Sequence, residues 1–159
     1  MTKLLAVDIG GPIIQRPAHS SLEEYAQAEA VTDSFQSLAD LSSVFGTNIH
    51  LISQCQPDLQ QVKLKWMAER NFCELTKVTS ERIHFVREPQ EKAILAKELK
   101  ATHFVEDRAE ILNHAMGVVE NLFLFRPNLS EALHYPDLLK KSRIVLNWDS
   151  LVWFITLGS

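Results

Sequence analysis

The chain has 159 residues, 46% apolar and 23% charged, a balance that fits one globular domain and excludes a disordered or collagen-like chain. With 16 Lys and Arg against 20 Asp and Glu, its formal net charge is -4. It therefore lacks the basic excess that binding a nucleic-acid backbone calls for, and Lys140, Lys141 and Arg143 read as a solvated helix end. No apolar run approaches the roughly 20 residues that span a bilayer, and the N-terminus shows no secretory pattern. A cytoplasmic protein without membrane partners is the expectation, with Cys55 and Cys73 reduced.

Along the chain, short runs rich in branched residues alternate with longer amphipathic stretches, the pattern of a parallel sheet covered by helices. Strands are predicted at 3–8, 48–53, 82–86, 102–105 and 121–125. The stretch "DSFQSLADLSSVFG" sets Phe35, Leu38, Leu41 and Phe45 at spacings of three and four, with Asp33 as its candidate cap and Gly46 as its stop. Next, "PDLQQVKLKWMAERNF" opens on Pro57 and Asp58 and places Leu59, Val62, Trp66 and Met67 on one side. A further helix, "PQEKAILAKELK", has Ile94, Leu95 and Leu99 as its expected buried stripe, and "DRAEILNHAMG" predicts a short helix ending near Gly117. The tail carries turn signals at Pro127 and Pro136, a candidate short strand at 143–146, and Trp148 and Trp153, which are expected to pack it onto the body. Right-handed crossovers make this a three-layer α/β/α sandwich over 1–159, with an open, mainly parallel five-stranded sheet.

Polar groups gather at the strand ends. The run "LLAVDIGGPII" delivers Asp8 and then breaks on Gly10, Gly11 and Pro12; "IHLISQ" ends at Ser53; "HFVED" ends at Glu106 and Asp107; and Lys92 lies in the first turn of the helix before that strand. The carboxyl ends of neighbouring parallel strands share one edge, so these groups can converge on one crevice. Such a set suits a phosphate ester. A carboxylate attacks phosphorus, a hydroxyl and an ammonium hold the phosphoryl oxygens, and other carboxylates hold magnesium.

In order and placement these motifs resemble the haloacid dehalogenase (HAD) superfamily of hydrolases over about residues 3 to 116. Asp8 matches the nucleophile of that family's first motif, with Gly11 at its glycine and Ile13 at its closing aliphatic position. Ser53 matches the end of the second motif, Lys92 the third-motif lysine, and "FVEDRAEIL" the fourth motif, with Glu106 and Asp107 as its paired acids. The resemblance implies a magnesium-dependent phosphohydrolase that forms an aspartyl-phosphate on Asp8. Ser53, Lys92 and the main chain at Gly10 and Gly11 would then hold the phosphoryl group, and Asp8, Glu106 and Asp107 would hold Mg2+.

Two departures bear on activity. The family's second Asp, which moves protons at the leaving group, is here Gly10, and Pro12 replaces the usual Thr. His19 is a candidate surrogate acid, set against its plain reading as an exposed loop histidine. Only 44 residues separate Asp8 from Ser53, and 38 separate Ser53 from Lys92, too few for a cap domain in either place. Capless members of the family act on large phosphorylated substrates or borrow closure from a neighbouring subunit, so a macromolecular substrate and a homo-oligomer both stand open. Two functions follow: a phosphatase, or a binding or regulatory subunit that keeps the fold without turnover.

Overall fold

The computed structural model describes residues 2–19 and 21–158. Its strands are β1 (Leu5–Val7), β2 (Ile49–Gln54), β3 (Ile83–Val86), β4 (His103–Glu106), β5 (Asn121–Phe125) and β6 (Ser142–Val145). They form one six-stranded sheet in the order β3-β2-β1-β4-β5-β6, with every pairing parallel. The five expected strands are present, and the short strand expected at 143–146 forms at Ser142–Val145 and pairs with β5, so the sheet has six members where five were predicted.

The helices are α1 (Leu22–Gln27), α2 (Ser34–Phe45), α3 (Pro57–Glu69), α4 (Phe72–Thr76), α5 (Glu91–Glu98), α6 (Ala109–His114), α7 (Leu129–Ala132), α8 (Pro136–Lys141) and α9 (Trp148–Thr156). Side chains alternate across each strand, so the sheet has two apolar faces. Leu5, Val7, Leu51, Val105 and Phe125 pack with residues of α2, α3, α4 and α9. Ala6, Ile52, Phe104, Leu122 and Leu124 pack with residues of α5, α6, α7 and α8. The result is the expected α/β/α sandwich. Among the described residues no segment forms a separate cap domain, and no helix is long and apolar enough to cross a membrane.

Local details differ from expectation where tertiary contacts override pattern. Asp33 takes a left-handed backbone (φ 67°), and its side chain caps nothing. Ile94 is 56% exposed, and the inward face of α5 is Lys92, Ala93 and Ala96. Small residues let this helix lie close to the sheet, and Lys92 is drawn in by the carboxylates described below. Trp148 is fully buried and donates from Nε1 to the Pro12 carbonyl at 2.7 Å, tying the tail to the turn after β1. Trp153 instead stands half exposed beside Phe154.

The chain runs from β1 to β2 and β3 on one side, then returns to place β4 on the other side of β1. Strand order thus reverses between β1 and β4, the point at which open α/β sheets leave a crevice beyond their carboxyl ends.

Candidate active site

Asp8 follows β1 directly, and its N–H continues the ladder by donating to the Val105 carbonyl at 2.9 Å, which fixes the side chain at the switch point. Its Oδ1 accepts from Lys92 Nζ at 2.6 Å and from the Ile9 N–H at 2.9 Å. Lys92 rises from the first turn of α5 and donates also to Glu106 Oε2 at 2.8 Å. The other Glu106 oxygen accepts the N–H groups of Asp107 and Arg108 at 3.1 and 3.2 Å.

All three side chains are buried, so each charge depends on its partners to offset lost hydration. Burial alone would raise the Asp8 carboxyl, but Lys92 and Lys63 outweigh it and hold Asp8 below its ordinary value. Burial, with the Asp8 charge beside it, pushes Glu106 well above its own. Lys92 is raised despite burial, because Asp8 and Glu106 favour its proton. The cluster therefore keeps an ionised Asp8 next to a protonated Lys92.

Ser53 lies near the end of β2, and its hydroxyl accepts from Lys63 Nζ at 2.9 Å. Lys63 comes from α3 and is 4% exposed; its pKa is lowered by burial, against the pull of Asp8. On the other flank, Arg16 grips Asp107 through both carboxylate oxygens, Nε to Oδ2 at 2.8 Å and Nη2 to Oδ1 at 3.1 Å. The same Nη2 donates to the Gly10 carbonyl at 3.1 Å. Asp107 is raised by burial and by Asp8, with Arg16 opposing.

The two glycines have different reasons. Gly11 has φ +109°, and a Cβ there would overlap the Asp107 carboxylate, so only glycine permits that close approach. A Cβ on Gly10 would meet no backbone. It would stand 3.6 Å from Arg16 Nη2, 3.6 Å from Tyr25 Oη and 3.8 Å from Lys63 Nζ. The space beside Gly10 is thus ringed by two cations and a phenol.

A cleft of about 500 Å³ opens over these groups, lined by Asp8, Gly10, Arg16, Tyr25, Lys63 and Lys92 among others. Oxygens of Asp8, Glu106 and Asp107 lie within 4.8 Å of one another. Of the seven residues singled out from the sequence, Asp8, Gly10, Lys92 and Glu106 line this cleft, Gly11 and Asp107 line a smaller pocket that shares Arg16, and Ser53 is buried and bonded to the cleft's Lys63. His19 is exposed and is not part of the cleft lining. Sequence reasoning missed Arg16, Tyr25 and Lys63. For Lys63 a signal existed: Leu59, Val62, Lys63, Trp66 and Met67 follow the i, i+3, i+4, i+7, i+8 pattern of a buried stripe.

No protein-family model matches the chain, and no curated protein matches it significantly. Solved structures do. The D,D-heptose 1,7-bisphosphate phosphatase of B. bronchiseptica, complexed with magnesium and phosphate, aligns at TM-score 0.70 and 15% identity over 99% of this chain and 100% of its own. A haloacid dehalogenase-like hydrolase from Xanthomonas campestris aligns at 0.67 and 10% identity, over 97% and 94%. The cobalt-bound deoxy-D-mannose-octulosonate 8-phosphate phosphatase of Haemophilus influenzae aligns at 0.61 and 12% identity, over 97% and 86%. At these identities the likeness shows the fold, which is that of haloacid dehalogenase-like hydrolases.

Proposed function

We propose that this chain is a phosphohydrolase that cleaves phosphate monoesters through an aspartyl-phosphate on Asp8. The observation that carries the reading is the buried Lys92 shared between Asp8 and Glu106 at the switch point of the sheet. Lys92 and the Ile9 N–H hold Oδ1, which turns Oδ2 of an ionised Asp8 into the attacking atom. Glu106 acts through Lys92: one oxygen accepts its proton donor, and the other is fixed by two main-chain amides. Ser53 and Lys63 form a hydroxyl–ammonium pair whose charge would help neutralise the phosphoryl oxygens. Four cations, Arg16, Lys63, Lys92 and Arg108, line one cleft and suit a dianionic phosphoryl group.

The donor set also fits magnesium, because clustered carboxylate oxygens are the hard ligands it selects. Asp8, Glu106 and Asp107 would hold the ion, whose contribution is to offset negative charge beside the phosphoryl group. The complex of the heptose bisphosphate phosphatase with magnesium and phosphate supports this assignment. Arg16 already holds both Asp107 oxygens, so metal and guanidinium draw on the same carboxylate. With no cap domain among the described residues, a phosphorylated macromolecule is a candidate substrate beside small esters.

Gly10 favours a second reading, an anion-binding module without turnover, because a general acid is worth roughly 100 to 10,000-fold in rate. Phosphate release from a panel of sugar phosphates, nucleotides and a phosphopeptide, with and without magnesium, separates the two. Turnover that falls at least about 1,000-fold in Asp8→Asn is the expected result. Turnover that survives the substitution removes Asp8 as nucleophile. Phosphate binding that is lost in Lys63→Met, without turnover of any ester, establishes the second reading.

A further inference from the structure

Gly10 takes away a carboxylate, yet the space beside it holds other proton donors. Arg16 Nη2, Tyr25 Oη and Lys63 Nζ all stand within 3.8 Å of the position a Cβ on Gly10 would take. Arg16 does not release its proton in proteins, and its donors are committed to Asp107 and the Gly10 carbonyl. Lys63 donates to Ser53 Oγ, and loss of its proton would remove charge where a phosphoryl group needs it. Tyr25 differs from both. Its ring is 3% exposed and packs under Lys63 Nζ at 5.3 Å from the centroid. Its residue lines the cleft, and its hydroxyl takes part in none of the bonds that hold Arg16 and Lys63. Tyr25 Oη is not among the buried side-chain atoms left without a partner; a phenol whose ring packs in the core while its residue lines a cleft can turn its O–H to a ligand atom bound there.

We propose that Tyr25 is the general acid of this site, standing in for the carboxylate missing at Gly10. The inference rests on the phosphohydrolase reading above. Asp8 Oδ2 attacks phosphorus and the ester P–O bond breaks. The leaving oxygen keeps that electron pair and takes the proton of Tyr25 Oη, so the product departs as a neutral alcohol. The tyrosinate left behind lies between Arg16 and Lys63, whose charges stabilise it. Water then attacks the aspartyl-phosphate, the bond from phosphorus to Asp8 breaks, and the tyrosinate takes the proton that water gives up. Phosphate leaves, and both side chains return to their starting state. Burial raises the Tyr25 phenol above its ordinary value, so the proton is in place at neutral pH.

Leaving-group dependence tests the assignment, since a dinitrophenolate departs without a proton and an alkoxide does not. Tyr25→Phe removes only the hydroxyl and keeps the buried ring, and circular dichroism verifies that the fold is retained. The variant is expected to lose about 100-fold or more in kcat/KM on an alkyl phosphate, within the usual worth of a general acid, and to stay within about threefold of wild type on dinitrophenyl phosphate. Lys63→Met is expected to fall alike on both esters, as a phosphate-neutralising charge should. Equal losses on both esters in Tyr25→Phe would reduce Tyr25 to a positioning residue, and no loss on either would remove it from the reaction. Wild type inactive on both esters, or fully active after Asp8→Asn, overturns the phosphohydrolase reading itself and the role of Tyr25 with it.

Discussion

The two ends of the sheet absorb buried polar groups in opposite ways. At the carboxyl end, Asp8, Lys63, Lys92 and Glu106 are all buried, and their charges are matched by side-chain bonds of 2.6 to 2.9 Å. At the amino end, His103 opens β4 and is also buried, but it lies between Phe45 and Phe123, with Nδ1 2.8 Å from Thr102 Oγ1. Burial there lowers its pKa to about 4, so the ring is neutral. A neutral ring, with one donor and one acceptor, asks little of its surroundings. A cluster of ions sacrifices several kcal/mol of hydration per charge even when paired, and apolar residues of like shape are often as stable. Stability alone does not explain the charged end, whereas the proposed binding of a phosphoryl group would.

Breaking the charged end should cost most. Lys92→Ala leaves two buried carboxylates facing each other without their shared cation, and about 3–5 kcal/mol of unfolding free energy should be lost. Urea denaturation measures this, and a loss near that of an exposed lysine would mean the cluster is hydrated and its pairing incidental. A smaller effect belongs to the flank. Arg16 is 42% exposed at its side chain and holds Asp107 through two bonds. Removing this competitor in Arg16→Met should tighten magnesium binding by about tenfold, the worth of one charge-assisted pair partly open to solvent. Titration calorimetry checks it, and unchanged affinity would show that Arg16 and the metal do not share Asp107.

The neutral end should respond to pH instead. His103 has an ordinary value of 6.5 and a folded value of about 4, so between these the unfolded chain binds more protons. Its contribution is whole above pH 6.5 and is lost as pH falls toward 4. The difference in unfolding free energy between wild type and His103→Phe, which cancels the other titrating groups, should shrink by about 1–2 kcal/mol across that window after allowance for screening. A difference that is flat with pH would place His103 in water.

Residues that end strands were legible because a parallel sheet collects strand ends whatever lies between them. Asp8, Ser53, Glu106 and Asp107 needed only the strand boundaries, and Lys92 needed only its place in a first turn. The alternation of strand and helix likewise carried the layers, and the sixth strand was in view as a candidate. What escaped were side chains that reach the site from helix bodies and turns. Tyr25 lies in a six-residue helix with too few turns to define a stripe. Arg16 follows a turn whose path depends on the Trp148 bond to Pro12, 136 residues away. Lys63 was overlooked because a lysine in a helix usually lies in solvent, although its spacing put it on the apolar stripe. Ile94 shows the reverse error: an apolar residue was assigned inward, while the helix turned on Lys92 and two alanines.

The most direct measurement is the mass of the protein quenched in acid during turnover of a phosphate ester. The expected result is one added phosphoryl group, on the peptide that contains Asp8 and absent from Asp8→Asn. Turnover with no added mass at any time, or with the group on another residue, would contradict it.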